Sequence, residues 1–231
     1  MNSMIEKMSE LNISEEVMKE VLFVAKRMDE KGLVNSFAGN ISAKKDGKIY
    51  ITPTGQNKAL LNAEKIAVLD EKGKRIWGMK ETSEIIMHTM AYKICEENGW
   101  DVNGVVHCHS NVMTAFSMAG MDIETEAFPE MLGNFHKIPC VAYGAPGTKY
   151  ILTMAEPYLA EGYRIVLLGN HGCLSVGRTV EEAMNVVEAC EALATQILIT
   201  NYILKGEKKL DTDELAKFFE IYKSNKEMRR K

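Results

Sequence analysis

An α/β fold, with strands and helices interspersed around one core, is what the sequence predicts. Two observations carry it. Segments with apolar residues at helical spacing, such as Val17, Val21, Val24, Ala25 and Met28, alternate with short apolar runs such as Gly104 to His109 and Arg164 to Leu168. Several of these runs are joined by short turns, which argues against a purely parallel sheet. The chain has 231 residues, 46% of them apolar and 26% charged. That composition suits one sizeable globular domain. No repeat, linker or low-complexity tract divides it, so a single domain over 1–231 is expected. Its core spans about 14–205, and a C-terminal helix and basic tail follow over 211–231.

The elements follow from local signals. Ser14 caps a helix with Glu15 and Glu16 in its first turn, and Gly32 ends it. Lys48 to Thr52 alternates as a strand and runs into Pro53-Thr54-Gly55. Ile66 to Leu69 and Arg75 to Trp77 flank Asp70-Glu71-Lys72-Gly73-Lys74 as a hairpin. Thr82 or Ser83 caps a helix that carries Glu84, Ile86, His88, Met90, Ala91 and Ile94. Gly104 to His109 is a buried strand, and a helix follows over Asn111 to Met118. Pro139 to Tyr143 is a further short strand. Arg164 to Leu168 pairs with Leu174 to Val176 across Gly169-Asn170-His171-Gly172. Thr179-Val180-Glu181-Glu182 is a capping box that opens a long helix to about Leu204. Asp211-Thr212-Asp213-Glu214 opens the last helix in the same way.

Charge and composition exclude several classes of partner. The net charge of -4 provides no positive field for nucleic acid or anionic lipid. The compact basic run Lys226 to Lys231 reads as a solvated tail. No apolar stretch reaches the ~18 residues of a membrane span, and the first residues lack the apolar core of a signal peptide. Five scattered cysteines without a Cys-x-x-Cys pair suit free thiols. A cytoplasmic protein is expected.

Three histidines lie where chemistry is plausible. His107 and His109 are two apart at the end of a strand, so their imidazoles share one face while Cys108 points away. His171 lies between glycine-flanked turn residues after another buried strand. Three imidazoles with an open position describe a catalytic rather than a closed structural metal site. The competing reading is a core histidine cluster bonded to backbone. Glu84 is the candidate acid or base, though a carboxylate in a first helical turn is also common capping chemistry. His88, one turn on, reads as an orienting or core histidine rather than a ligand. Three short polar segments, Gly39 to Ser42, Thr52 to Gly55 and Glu81 to Glu84, read as loops. They offer main-chain N–H groups, hydroxyls and an amide. If they converge, they form a phosphate cradle without lysine.

In order, Ala38 to Ser42, Ile51 to Gly55, Ser83-Glu84 with His88, Val105 to His109, Ile138 through Thr148, and Asn170 to Gly172 resemble the class II aldolase/adducin family, typified by L-fuculose-1-phosphate aldolase. The resemblance runs from about residue 14 to about 205. It implies a three-layer α/β/α fold with a largely antiparallel central sheet. It also implies a homotetramer with active sites at subunit interfaces. It implies zinc on His107, His109 and His171, with Glu84 as the fourth ligand of the resting site and as the catalytic base. The phosphate of a sugar phosphate would rest on Asn40, Thr54, Gly55, Thr82 and Ser83. The implied reaction cleaves a ketose 1-phosphate to dihydroxyacetone phosphate and an aldehyde.

The chain departs from the aldolase pattern at the aldehyde side. Phe128 stands at the position of the catalytic tyrosine and cannot donate a proton. Glu130, Tyr143 and Tyr222 are the candidate replacements. Phe37 stands where the aldolase has a threonine. The segment Phe128 to Leu132 also resembles that of the related methylthioribulose-1-phosphate dehydratases, which carry a functional glutamate there. An epimerase would have aspartate at the Glu84 position. An adducin-type scaffold would have lost the histidines that persist here.

Overall fold

The computed structural model describes residues 2–135 and 137–227. The chain forms, in order, α1 (Asn2–Glu10), α2 (Glu15–Glu30), β1 (Asn40–Lys45), β2 (Lys48–Ile51), β3 (Ala67–Leu69) and β4 (Arg75–Trp77). Then come α3 (Ile85–Glu97), β5 (Gly104–Cys108), α4 (Asn111–Ala119), α5 (Pro129–Phe135), β6 (Cys140–Val141) and α6 (Glu156–Ala160). β7 (Ile165–Leu168), β8 (Gly172–Gly177), α7 (Val180–Leu198) and α8 (Thr212–Glu227) complete it.

Among the described residues the strands make one eight-stranded sheet in the order β4-β3-β2-β1-β5-β8-β7-β6. The sheet is mixed, which corrects the expectation of a largely antiparallel one. β6 runs parallel to β7, with Cys140 opposite Leu167, while the other pairings are antiparallel. A parallel pair needs a crossover, and the segment from Ala142 to Arg164, with its 3-10 turn and α6, supplies one.

Alternation along the strands sorts residues to two faces. Val106, Cys108, Ile165, Leu167 and Cys173 pack with α2, α4 and α7. Val105, Val166, Leu168, Leu174 and Val176 pack with α3 and α6. Helices therefore cover both faces of the sheet. No helix of the described residues is long and apolar enough to cross a membrane.

Local signals located most elements. Ser14 Oγ accepts from Val17 N, and Thr179 Oγ1 accepts from Glu182 N, as their capping positions require. Two expectations are corrected. Asn40, Ile41 and Ser42 form the start of β1 rather than a loop. Their polar members face α3 and the apolar Ile41 and Ala43 face the opposite core, so the alternation is real but starts at a residue of low strand propensity. Glu84, not Thr82 or Ser83, is the N-cap of α3. The long helix runs to about Leu204 as expected, with α7 to Leu198 and a wider π-type turn over Ile199–Ile203 finishing the run. The basic run from Lys226 lies largely outside the described residues.

Candidate active site

β5 ends against β8 and beside β1, and this junction collects the site. β5 pairs with β1 through Asn40 and His107, and with β8 through His107 and Leu174. His107 is fully buried and faces the α3 layer. His109 follows one residue past the strand. His171 sits in the tight β7–β8 turn, where Asn170 takes φ 56° in the left-handed region open to asparagine. The turn closes through His171 N donating to Leu168 O at 3.0 Å.

The three rings form a nearly equilateral triangle, with centroids 4.9, 4.7 and 4.9 Å apart. Their candidate donor atoms all lie within 4.8 Å of one another. His107 donates Nδ1–H to the carbonyl of Cys173 at 2.8 Å. That bond leaves the lone pair on Nε2, which lies 3.0 Å from His109 Nε2. Gly172 makes room for this arrangement. A Cβ there would collide with the Cys108 carbonyl and lie 2.9 Å from His109 Cδ2. A Cβ on Gly39, at φ 72°, would lie 2.8 Å from the His107 carbonyl.

Burial holds these imidazoles in the neutral form that a metal ion needs. Desolvation, followed by the other two rings, pushes His107 well below its ordinary 6.5. Desolvation and then His171 lower His109 to about 4. His171 is lowered by desolvation, against an opposing pull from Glu84.

Glu84 completes the cluster. Its side chain makes no helix-capping bond, which removes the capping explanation for this carboxylate. Instead Oε2 lies 3.5 Å from His107 Nε2 and Oε1 lies 3.4 Å from His171 Nε2. The three imidazoles alone form the compact donor set, and Glu84 borders it with one oxygen toward each of two rings. Oε1 of Glu84 and Nδ1 of His171 are both buried without a hydrogen-bond partner. A cation among the donors would satisfy the carboxylate oxygen, so the residues present fit a metal.

The three polar segments converge, which their separation in sequence could not show. Thr52 Oγ1 accepts from Ile41 N at 3.1 Å. Pro53 bridges Glu81, and Thr54 N donates to Lys80 O at 3.2 Å. Thr82 is buried and its hydroxyl accepts from Glu84 N at 3.3 Å, while Thr54, Gly55 and Ser83 are exposed. Gly147 joins from a distant loop, close to the Ser83 carbonyl. The Asn40 side chain is turned away to Glu84, with Nδ2 donating to Oε2 at 2.7 Å.

Two expected residues do not join. Glu130 is exposed on α5, with no side-chain bond to the histidine cluster among the described residues. The Tyr222 side chain lies outside the described residues. Phe128, in the place of the expected tyrosine, packs against the apolar core. The Cys173 carbonyl, which orients His107, has no signature in the sequence, because any residue supplies a main-chain carbonyl. Glu191 is a further residue without a local signal: its carboxylate accepts from Val112 N and Met113 N at 2.9 Å and ties α7 to the start of α4, just after His109.

Residues 19–198 match the family described as the Class II Aldolase and Adducin N-terminal domain. The chain is 37% identical over 177 residues to an L-fuculose phosphate aldolase of Methanococcus vannielii, covering 77% of this chain and 93% of that protein. It is 29% identical over 206 residues to a 3-oxo-tetronate 4-phosphate decarboxylase of Escherichia coli K12, covering 84% and 94%. A solved L-fuculose 1-phosphate aldolase superposes with a TM-score of 0.77 at 24% identity, covering 91% of this chain and 97% of that one. That last likeness bears on the fold.

Proposed function

As the chain belongs to the class II aldolase and adducin family, we propose that it is a zinc-dependent aldolase, which cleaves a short ketose 1-phosphate to dihydroxyacetone phosphate and an aldehyde. One observation carries this reading. The Glu84 carboxylate has one oxygen anchored and the other buried without a partner, against three imidazoles. A divalent cation on His107, His109 and His171, with Glu84 as fourth donor, would supply Lewis-acid polarisation of a substrate carbonyl. Nitrogen-rich ligation with one carboxylate suits zinc.

The chain's own residues do the rest. Once substrate displaces it from the cation, Glu84 would take and return the carbon-bound proton at Oε1, because Oε2 is held by Asn40. Thr54, Gly55, Thr82 and Ser83, with Asn40 at their edge, hold the phosphate at the start of α3, where main-chain N–H groups favour an anion. Glu130 and Tyr222 are the proposed donors to the aldehyde oxygen. They lie on α5 and α8, which pack together, and they would reach the site of a neighbouring subunit in a homotetramer. A single domain over 1–231, acting in the cytoplasm, is part of the same proposal.

A second reading is decarboxylation of a 3-oxo acid phosphate, favoured by the Escherichia coli relative. The dehydratase reading would also draw on Glu130, which among the described residues makes no side-chain bond to the histidine cluster of its own subunit.

The test mixes metal-loaded protein with dihydroxyacetone phosphate in deuterated buffer and follows the C3 protons by NMR. Exchange at one C3 position, abolished by a chelator and by Glu84→Gln with metal retained, is the expected result. Exchange that survives both would reject the assignment of metal and base. No exchange, combined with release of carbon dioxide from 3-oxo-tetronate 4-phosphate, would replace the aldolase by the decarboxylase.

A further inference from the structure

Glu84 is the end of a buried chain of hydrogen bonds that runs between β1 and α3. Asn40 Nδ2 donates to Glu84 Oε2 at 2.7 Å. Asn40 Oδ1 is bonded to His88 Nε2. His88 Nδ1 lies 2.7 Å from Ser42 Oγ, and Ser42 Oγ lies 2.7 Å from the Tyr92 hydroxyl. Asn40, Ser42, His88 and Tyr92 are all buried. Asn40 and Ser42 are two apart on a strand, and His88 and Tyr92 are four apart on a helix. Each pair therefore presents one face to the other.

The protons in this chain can be placed by chemistry. A carboxylate only accepts, so Asn40 turns its NH2 toward Glu84 and its carbonyl toward His88. That carbonyl requires a proton on His88 Nε2. A neutral imidazole then carries a bare Nδ1, which takes the Ser42 hydroxyl proton. Ser42 Oγ in turn takes the proton of Tyr92. Every donor in the chain points toward Glu84. Burial supports the assignment, since it lowers His88 to about 3 and raises Tyr92 above its ordinary range.

We propose that His88, backed by Ser42 and Tyr92, is the positioning residue that locks the Asn40 amide with its hydrogen on Glu84 Oε2, so that Oε1 is the oxygen presented to substrate. The amide has two orientations of nearly equal shape, and a flip would set its carbonyl against the carboxylate. The Nε2–H of His88 decides between them. This inference rests on the reading of Glu84 as the base. It adds the device that selects which oxygen acts.

The first test needs no turnover. Nitrogen-15 NMR of the histidine rings in the unmodified protein reports the tautomer of His88. A neutral ring protonated at Nε2 is expected. A proton on Nδ1 instead, or on both nitrogens, would overturn the proposal. The second test uses exchange of the dihydroxyacetone phosphate C3 proton by metal-loaded variants. His88→Leu fills the space without an N–H. It should lower the maximal exchange rate roughly tenfold, the scale of one lost hydrogen bond to a charged group. Its half-saturating dihydroxyacetone phosphate concentration and its metal content should stay near those of the unmodified protein. His88→Gln restores an N–H toward Asn40 and should recover most of the rate. Equal loss in both variants, or none in His88→Leu, would reject a positioning role. Failure of the base assignment would show separately, as exchange unaffected by Glu84→Gln.

Discussion

His107 donates its Nδ1–H to the main-chain carbonyl of Cys173 at 2.8 Å, across the β5–β8 ladder. One bond between adjacent strands thus fixes the ring's tautomer and aims Nε2 at His109, His171 and Glu84. A metal site assembled this way depends on strand register as much as on ligand identity.

Loss of a single imidazole should therefore dismantle the site. His109→Ala is expected to lower zinc affinity by on the order of 100-fold or more, with turnover lost in parallel. Metal analysis after gel filtration, beside an activity assay at saturating zinc, checks it. An active variant without bound metal would disprove the metal assignment.

Space beside His109 is as necessary as the ligand. Gly172→Ala would place a methyl group against the Cys108 carbonyl and the His109 ring. Overpacking of this kind costs about 1–3 kcal/mol. A lower urea midpoint together with weaker metal binding is expected. A change in stability alone would show that the ring has not moved.

Phosphate recognition should separate from chemistry. Ser83→Ala and Thr54→Val remove exposed hydroxyls from the proposed cradle. Each is expected to raise the KM for a phosphorylated substrate by about tenfold, one hydrogen bond's worth, with kcat changed little. Steady-state kinetics, with inorganic phosphate as a competitor, measures the split.

The metal-free protein should weaken in acid because His88 is buried neutral. Its imidazole is lowered from 6.5 to about 3 by desolvation. Between those values the unfolded chain binds the proton and the native one does not. Its contribution is thus present in full above about pH 6.5 and is lost as pH falls, by up to about 1.4 kcal/mol per pH unit. Urea unfolding at about pH 7.5 and about pH 5 should show the loss, with a shallower dependence in His88→Gln.

Much of this site was legible in the chain because its signals are local. His107 and His109 share one face by strand geometry, which makes them candidate ligands, and the apolar runs before His109 and His171 mark both as strand-end residues. Asn40 and Ser42 were harder. They belong to a strand, yet they read as a polar loop, since the face they occupy is a buried polar one. Glu84 read equally well as a helix cap, a choice that depends on where its side chain points rather than on its position.

By itself, the sequence determined the α/β class, most element positions, the three candidate ligand histidines and the family resemblance. All of these are set by periodicity, capping and residue order over a few positions. Only the tertiary structure decided that the sheet is mixed, that residues 40–42, 52–55 and 81–84 meet, and that Glu84 turns from the helix end toward the histidines. It also decided that Glu130 stands apart from them. These depend on register and crossover connections between segments tens of residues apart, where the energy comes from burying one face against another. No local pattern of residues encodes the partner in such a pairing.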